Sequence, residues 1–241
     1  VKMELKDIRE SITDKTRVTV LSGAGISAPS GVPTFRGSED SLWENMRPEE
    51  LATPQAFSVD PEKVWRWYNW RRSMLEPCNP NAAHYALVEL ENIAGNVTII
   101  TQNVDGLHQI AGSTNLMEFH GSIWVTRCLK CNEENINRTV PLPIIPRCEC
   151  GGMLRPGVVW FGEGINPGIM QDSIEASSNC DLFLVIGTSG LVHPAAGMAH
   201  IAKDAGATVV EFNLEPGGVS SHTDLFVTGS ADLTVPQLIS E

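Results

Sequence analysis

Residues 18–37 read VTVLSGAGISAPSGVPTFRG, an apolar run that breaks into small residues and then into a proline-bounded loop. Val18-Thr19-Val20-Leu21 is short and β-branched, the composition of a strand covered on both faces. Gly23-x-Gly25-x-x-Ala28 fits the G-x-G-x-x-G/A pattern of dinucleotide sites. There the glycines allow a tight turn and bring backbone N–H groups near a pyrophosphate at a helix N-terminus. Over so short a stretch a plain glycine-rich turn reads the same. The continuation argues against a simple dehydrogenase, in which a second strand with an acidic end follows roughly 20 residues later. Here Pro29, Gly31 and Pro33 interrupt any long helix and lead into Thr34-Phe35-Arg36-Gly37. That loop sets an aromatic ring and a cation over the site.

Working outward, the same grammar recurs. An apolar run at 97–101 precedes Gln102-Asn103-Val104-Asp105-Gly106-Leu107-His108; another at 182–186 precedes Gly187-Thr188-Ser189. Runs at 208–212 and 225–228 precede Asn213-Leu214-Glu215 and Gly229-Ser230-Ala231. Helical spacing is seen near 3–14, 82–93, 168–178 and 195–205. The alternation predicts an α/β fold, a Rossmann-like, mainly parallel sheet with helices on both faces and a ligand-lined edge at the strand ends. Asn213 and Glu215 stand where the missing ribose-holding residue is needed. Asn103 and Asp105 read equally as caps of the following helix. Between the first two strands, 42–72 reads as helices, started at Pro48-Glu49-Glu50-Leu51 and at Asp60-Pro61-Glu62. Trp65, Trp67, Tyr68 and Trp70 supply packing area there.

The chain has 241 residues, 42% of them hydrophobic, enough for one large domain with a smaller insertion. No apolar run reaches the roughly 18 residues of a membrane helix. The start, VKMELKDIRES, is charged and has no apolar signal core, so the expected location is cytoplasmic. A net charge of −12 speaks against direct nucleic-acid binding, which needs a basic face, and reads as a solubilising acidic surface. Of six cysteines, four form two close pairs, Cys128-x-x-Cys131 and Cys148-x-Cys150, across a loop with Pro141, Pro143 and Pro146. Such a set suits a closed, tetrahedral, structural zinc site. The second pair is one residue short of C-x-x-C and needs a tighter backbone turn. Cys78 and Cys180 read as small buried hydrophobes.

GAGIS-A-x-SG-x-P-x-FRG at 23–37, TQNVDGLH at 101–108, HGS at 120–122, the cysteine pairs, RPGVVWFGE at 155–163, GTS at 187–189 and NLE at 213–215 together resemble the sirtuins, NAD-dependent protein-lysine deacylases. The resemblance spans nearly the whole chain in the family's order. It implies a Rossmann-like domain of 1–36, 82–122 and 154–241, a helical module of 37–81 and a zinc module of 123–153. It implies NAD consumed as a co-substrate, one structural zinc per chain, and acylated lysine in proteins or peptides as the partner. His120 matches the family's general base, a role that suits an imidazole with an ordinary pKa near 6.5. Asn103 joins it as catalytic, and with Gln102 matches the residues holding the reacting ribose. Asp105 matches the one binding the nicotinamide amide. Gly23, Ala24, Gly25, Ser27, Phe35, Arg36 and Val104 fall on the cofactor pocket and its lid. Gly187, Thr188, Ser189, Asn213, Leu214, Glu215 and Ala231 fall on the adenosine side. Residues 159–163, with Val159, Phe161, Gly162 and Glu163, resemble the strand on which substrate peptide pairs, and Val192 lies on the opposing side of that cleft. Ser41 and Val104 depart from the family's commoner Gly and Ile.

Tyr68-x-x-Arg71 resembles the signature of the branch that removes succinyl and malonyl groups, and Ala52 fits its small acyl-pocket residue. A helix puts the pair on one face, where a guanidinium and a phenol can bind the distal carboxylate of the acyl chain. The alternative for Arg71 is an ordinary ion pair. ADP-ribosyl transfer and a non-catalytic NAD or ADP-ribose binding module are the alternative functions. Neither protein substrates nor oligomeric state are legible in the sequence.

Overall fold

The computed structural model describes residues 3–34 and 50–240. Phe35, Arg36 and Ser41 lie outside the described residues, as does most of the helix start expected at Pro48. The chain opens with α1 (Leu5–Ser11), β1 (Arg17–Ser22) and the short α2 (Ala24–Ser27), then resumes with α3 (Pro54–Val59) and α4 (Pro61–Leu75). α5 (Ala82–Ile93), β2 (Asn96–Thr101), α6 (Leu107–Ala111) and β3 (Leu116–Glu118) follow. Next come β4 (Gly121–Cys128), β5 (Glu134–Ile136), β6 (Leu154–Val158), α7 (Pro167–Ser178), β7 (Leu182–Ile186) and α8 (Gly197–Asp204). β8 (Thr208–Asn213), β9 (Leu225–Thr228) and α9 (Ala231–Thr234) close the chain.

Every residue of β1 after Arg17 is buried, as is all of β7. Their β-branched and aliphatic runs form strands because helices cover both sides. Six strands form one sheet in the order β3-β2-β1-β7-β8-β9, and each pair is parallel. Numbered along the chain this is 3-2-1-4-5-6, with the reversal of order between β1 and β7. Alternate residues supply the two faces: Val18, Val20, Ile99, Leu184 and Phe212 pack under α5 and α9, and Leu21, Ile100, Phe183 and Val209 under α8. β3 was absent from the sequence reading because Leu116-Met117-Glu118 has neither a long apolar run nor full burial.

The helix stops and starts follow local chemistry. Asp60 accepts from Lys63 N at 2.8 Å to cap α4, as its sequence suggested, while Thr53 accepts from Ala56 N at 3.1 Å to start α3. β4, β5 and β6 form a separate antiparallel sheet in the order β5-β4-β6. It shares a third core with α4, in which Trp65, Trp67 and Tyr68 meet Ile123, Trp124, Val158 and Trp160; Trp70 is on the exposed side. The strand expected at 159–163 ends instead at Val158. Trp160 N turns to the Glu163 carboxylate at 2.9 Å, and Gly162 takes a φ of +86°, so the chain turns rather than extends. Among the described residues no helix is long and apolar enough to cross a membrane.

At the β1/β7 reversal the backbone is too close for side chains. A Cβ on Gly187, whose φ is +59°, would stand 2.4 Å from Ile26 N. Gly187→Ala is therefore expected to cost more than about 2 kcal/mol. Gly197→Ala, whose Cβ meets nothing within 4 Å, should stay within about 0.5 kcal/mol of the parent. Denaturant midpoints measured side by side check both.

Candidate active site

Four strand ends meet at the reversal and are laced together by their own polar groups. Gly23 N–H donates to Ile186 O at 2.9 Å and Gly25 N–H to Gly187 O at 2.7 Å. A Cβ on Gly25 would lie 2.7 Å from Gly187 Cα, and one on Gly23 would lie 2.7 Å from Thr188 Cβ. Both N–H groups are thus engaged within the protein. What Gly23 and Gly25 supply is close approach between two loops. From β2, Gln102 Nε2 donates to Thr188 Oγ1 at 2.9 Å. Asn103 Nδ2 donates to Gly23 O and to Ser27 Oγ, both at 3.1 Å. From β8, Asn213 Nδ2 donates to Thr188 O at 2.9 Å. The structure thus brings Gly23, Gly25, Ser27, Gln102, Asn103, Gly187, Thr188 and Asn213 into one network. Ala231 is buried at the start of α9, whereas Leu214 and Glu215 are exposed.

Asp105 is buried, and burial pushes its carboxyl up, opposed by hydrogen bonds from Leu107 N and Ser27 and by the charge of Arg71. Its Oδ1 accepts Leu107 N at 2.9 Å, but the N-cap of α6 is Gly106, so neither Asp105 nor Asn103 is the cap residue. Beside it, His120 Nδ1 lies 3.1 Å from Gln102 O. A carbonyl only accepts, so the proton sits on Nδ1 and Nε2 keeps its lone pair. Burial holds the imidazole below its usual pKa against the opposing Gln102 hydrogen bond, which keeps it a neutral base near pH 7.

Three supporting residues escaped the sequence reading as site components. Ser22 at the end of β1 donates to Thr101 Oγ1 at 2.9 Å, so His108 Nε2, also 2.9 Å away, donates to Ser22. His84 Nε2 lies 3.4 Å from Ser27 Oγ, and the two imidazoles meet edge to face with centroids 4.9 Å apart. The available signal was slight: a serine directly before the glycine pattern and a histidine at the third position of α5, where it closes a capping box with Asn81.

On the small sheet, the four sulfurs of Cys128, Cys131, Cys148 and Cys150 lie within 4.8 Å of one another. The Cys128–Cys150 and Cys131–Cys148 separations are 3.5 and 3.7 Å. Zinc bonded to sulfur at about 2.3 Å in a tetrahedron sets sulfurs about 3.8 Å apart, so the residues present fit the ion, C-x-C turn included. The amides of Cys131 and Lys130 point at Cys128 Sγ and hold that thiol down to about 6. All four donors are taken, which leaves no open position for chemistry. Cys180 is buried as expected and Cys78 half-buried.

In the 159–163 segment, both oxygens of Glu163 are engaged by Arg155, at 2.5 and 2.9 Å. Glu163 therefore shapes the turn. Phe161 is half exposed with its N–H given to Ala52 O at 2.9 Å, and Val192 is half-buried. Tyr68 and Arg71 are both buried on α4. Arg71 shares a small cavity with Ala24, Val32, Pro33, Leu75, Asn103, Val104 and Asp105.

The Sir2 family model matches residues 23–194, a span that contains the reversal, His120 and the cysteine cluster. The chain belongs to the Sir2 family. Among Sir2 relatives, an NAD-dependent protein deacylase of Leptospira interrogans is 51% identical over 230 residues, covering 93% of this chain and 92% of that one. NAD-dependent protein deacylase 2 of Pyrobaculum aerophilum is 48% identical over 98% of this chain and 94% of its own. A solved Sir2 homologue, an S24A mutant in complex with ADP ribose, superposes with a TM-score of 0.91 at 42% identity, covering 98% of this chain and 95% of that one.

Burial holds His84 down to about 4, and burial together with the neighbouring His84 holds His108 down to about 3. The unfolded chain, with imidazoles near 6.5, then binds protons that the folded sirtuin refuses. Their stabilising contribution is complete above about pH 6.5 and is lost as pH falls towards 4 and 3, on the order of 3 kcal/mol for each. Thermal midpoints taken from pH 7.5 to 4 should fall, less steeply in His84→Gln. A flat profile would show that these imidazoles are not buried neutral.

Proposed function

We propose that this sirtuin, an NAD-dependent protein deacylase, acts preferentially on lysines whose acyl group ends in a carboxylate, such as succinyl or malonyl, on cytoplasmic proteins. The observation that carries this reading is the place of Arg71: its guanidinium lines the cavity bounded by Ala24, Asn103 and Asp105. Burial holds Arg71 below its ordinary pKa, against the charges of Tyr68 and Asp105. The planar guanidinium can take an arriving carboxylate with bidentate geometry. One helical turn away, Tyr68 OH accepts from Trp160 Nε1 at 2.9 Å, which leaves its own proton to donate. Burial pushes that phenol up to about 12, so the proton stays in place.

NAD supplies the electrophilic ribose carbon, freed from nicotinamide, that receives the acyl oxygen. The protein's own tasks are positional and basic. Gln102 and Asn103 hold the ribose, and Asp105 takes the nicotinamide amide. His120, with Nε2 unprotonated, removes the proton of a ribose hydroxyl. Residues 159–163 and Val192 flank the peptide. Cys128, Cys131, Cys148 and Cys150 would hold zinc, which would serve there as a structural clamp.

His120→Ala is expected to lower kcat at least about 100-fold, read as nicotinamide release from a succinyl-lysine peptide. Label from NAD should leave in solution as acyl-ADP-ribose; label on protein would favour ADP-ribosyl transfer. Arg71→Met should cut kcat/KM for succinyl peptide by roughly 10- to 100-fold, the range for losing a buried charge-assisted pair. It should change acetyl peptide by less than about threefold. Equal losses on the two peptides would rule out a carboxylate-binding role.

A further inference from the structure

One carboxylate is fully buried within the parallel sheet. Along β8, Val210 and Phe212 join the core under α5 and α9, while Val209 joins the opposite core. Alternation puts Glu211 on the side of Val209, with Val185 and Phe226 as its neighbours in register. Glu211 is fully buried, and among the described residues no cation lies within ion-pair distance of it. Both oxygens accept from neutral donors: Oε1 from Asn213 Nδ2 at 3.3 Å and Oε2 from Ser220 Oγ at 2.5 Å. Ser220 Oγ itself accepts Gly217 N–H at 2.6 Å.

A valine at this position would fill the layer without the cost of desolvating a charge. What the carboxylate adds is convergence of two segments on one point. Asn213 has no freedom left: Nδ2 is shared between Glu211 and Thr188 O, and Oδ1 accepts Leu214 N at 3.0 Å. The loop reached through Ser220 is pinned as well, with Gly218 N–H on Ser189 O at 2.8 Å. Glu211 thus ties the 187–190 turn, the 213–215 turn and the 217–220 loop into one wall.

We infer that Glu211 is a positioning residue for NAD, holding the wall that receives the adenosine end while touching none of the reacting atoms. This rests on the reading that residues 187–189 and 213–215 bind that end. A wall held in its bound shape spares the ordering cost on binding, so its loss falls on affinity for NAD and leaves the chemical step alone.

The test compares the parent with Glu211→Ala, Glu211→Gln and Ser220→Ala. Calorimetric titration with ADP-ribose, which needs no turnover, is run beside steady-state kinetics. Glu211→Ala should weaken ADP-ribose at least tenfold and raise KM for NAD in parallel, with kcat and KM for peptide within about twofold. Ser220→Ala, a milder change that decides the matter if Glu211→Ala fails to fold, should weaken ADP-ribose about three- to fivefold. Glu211→Gln should recover most of the affinity, because the Ser220 hydroxyl can turn to accept from the new amide. Unchanged ADP-ribose affinity in folded Glu211→Ala and Ser220→Ala, or a fall in kcat at constant KM for NAD, overturns the inference. A parent protein that binds no ADP-ribose overturns the NAD reading beneath it instead.

Discussion

The contact on which the rest depends is backbone against backbone: Gly25 on Gly187, with N–H to carbonyl at 2.7 Å and no space for a Cβ on either. It brings the ends of β1 and β7 together where the strand order reverses, the place at which open α/β sheets bind ligands. Gln102, Asn103 and Asn213 then bridge outward from that contact to both neighbouring strands. The polar side chains proposed to handle the cofactor are therefore hydrogen-bonded to the seam that holds the sheet together. Loosening the seam would move all of them at once.

The second organising charge is Arg72. Fully buried, it donates to the carbonyls of Ile123 at 2.6 Å, Asn137 at 2.5 Å and Thr139 at 3.0 Å, and its guanidinium lies 4.9 Å from the Trp124 ring. Burial, with the nearby Arg138, brings its pKa down to about 10, leaving it charged. One carbonyl on β4 and two just beyond β5 thus find their donor on α4. Arg72 is the clamp between the helical segment and the cysteine-bearing sheet.

Periodicity and punctuation carried most of the architecture. β1, β2, β7, β8 and β9 announce themselves because parallel strands covered by helices are largely apolar, and each ends in or runs into glycine or a small polar residue. β3 did not, since a three-residue edge strand needs little burial to pair with β2. The site was legible where chemistry demands particular residues, as at His120 with its motif or the four cysteines. It was illegible where a common residue gains its meaning from long-range partners. Nothing local distinguishes Arg72 or Glu211, and nothing local shows that Gly23 and Gly25 have given their N–H groups away. The strand that the resemblance implies at 159–163 does not form, because bonding to Glu163 and Ala52 turns the chain there.

The proposed cleft edge and the proposed acyl pocket are one piece of masonry. Phe161 hangs its amide on Ala52, Trp160 hands its indole proton to Tyr68, and the guanidinium of Arg155 lies 3.5 Å from the Trp160 ring centroid while gripping Glu163. A backbone laid along the first wall finds the second already standing. Discrimination among acyl groups is in that case a matter of fit to a fixed mould. A group of the wrong length or charge would be refused for want of any inexpensive way for the walls to give, and widening the enzyme's tastes would mean rebuilding Trp160 and Tyr68 together.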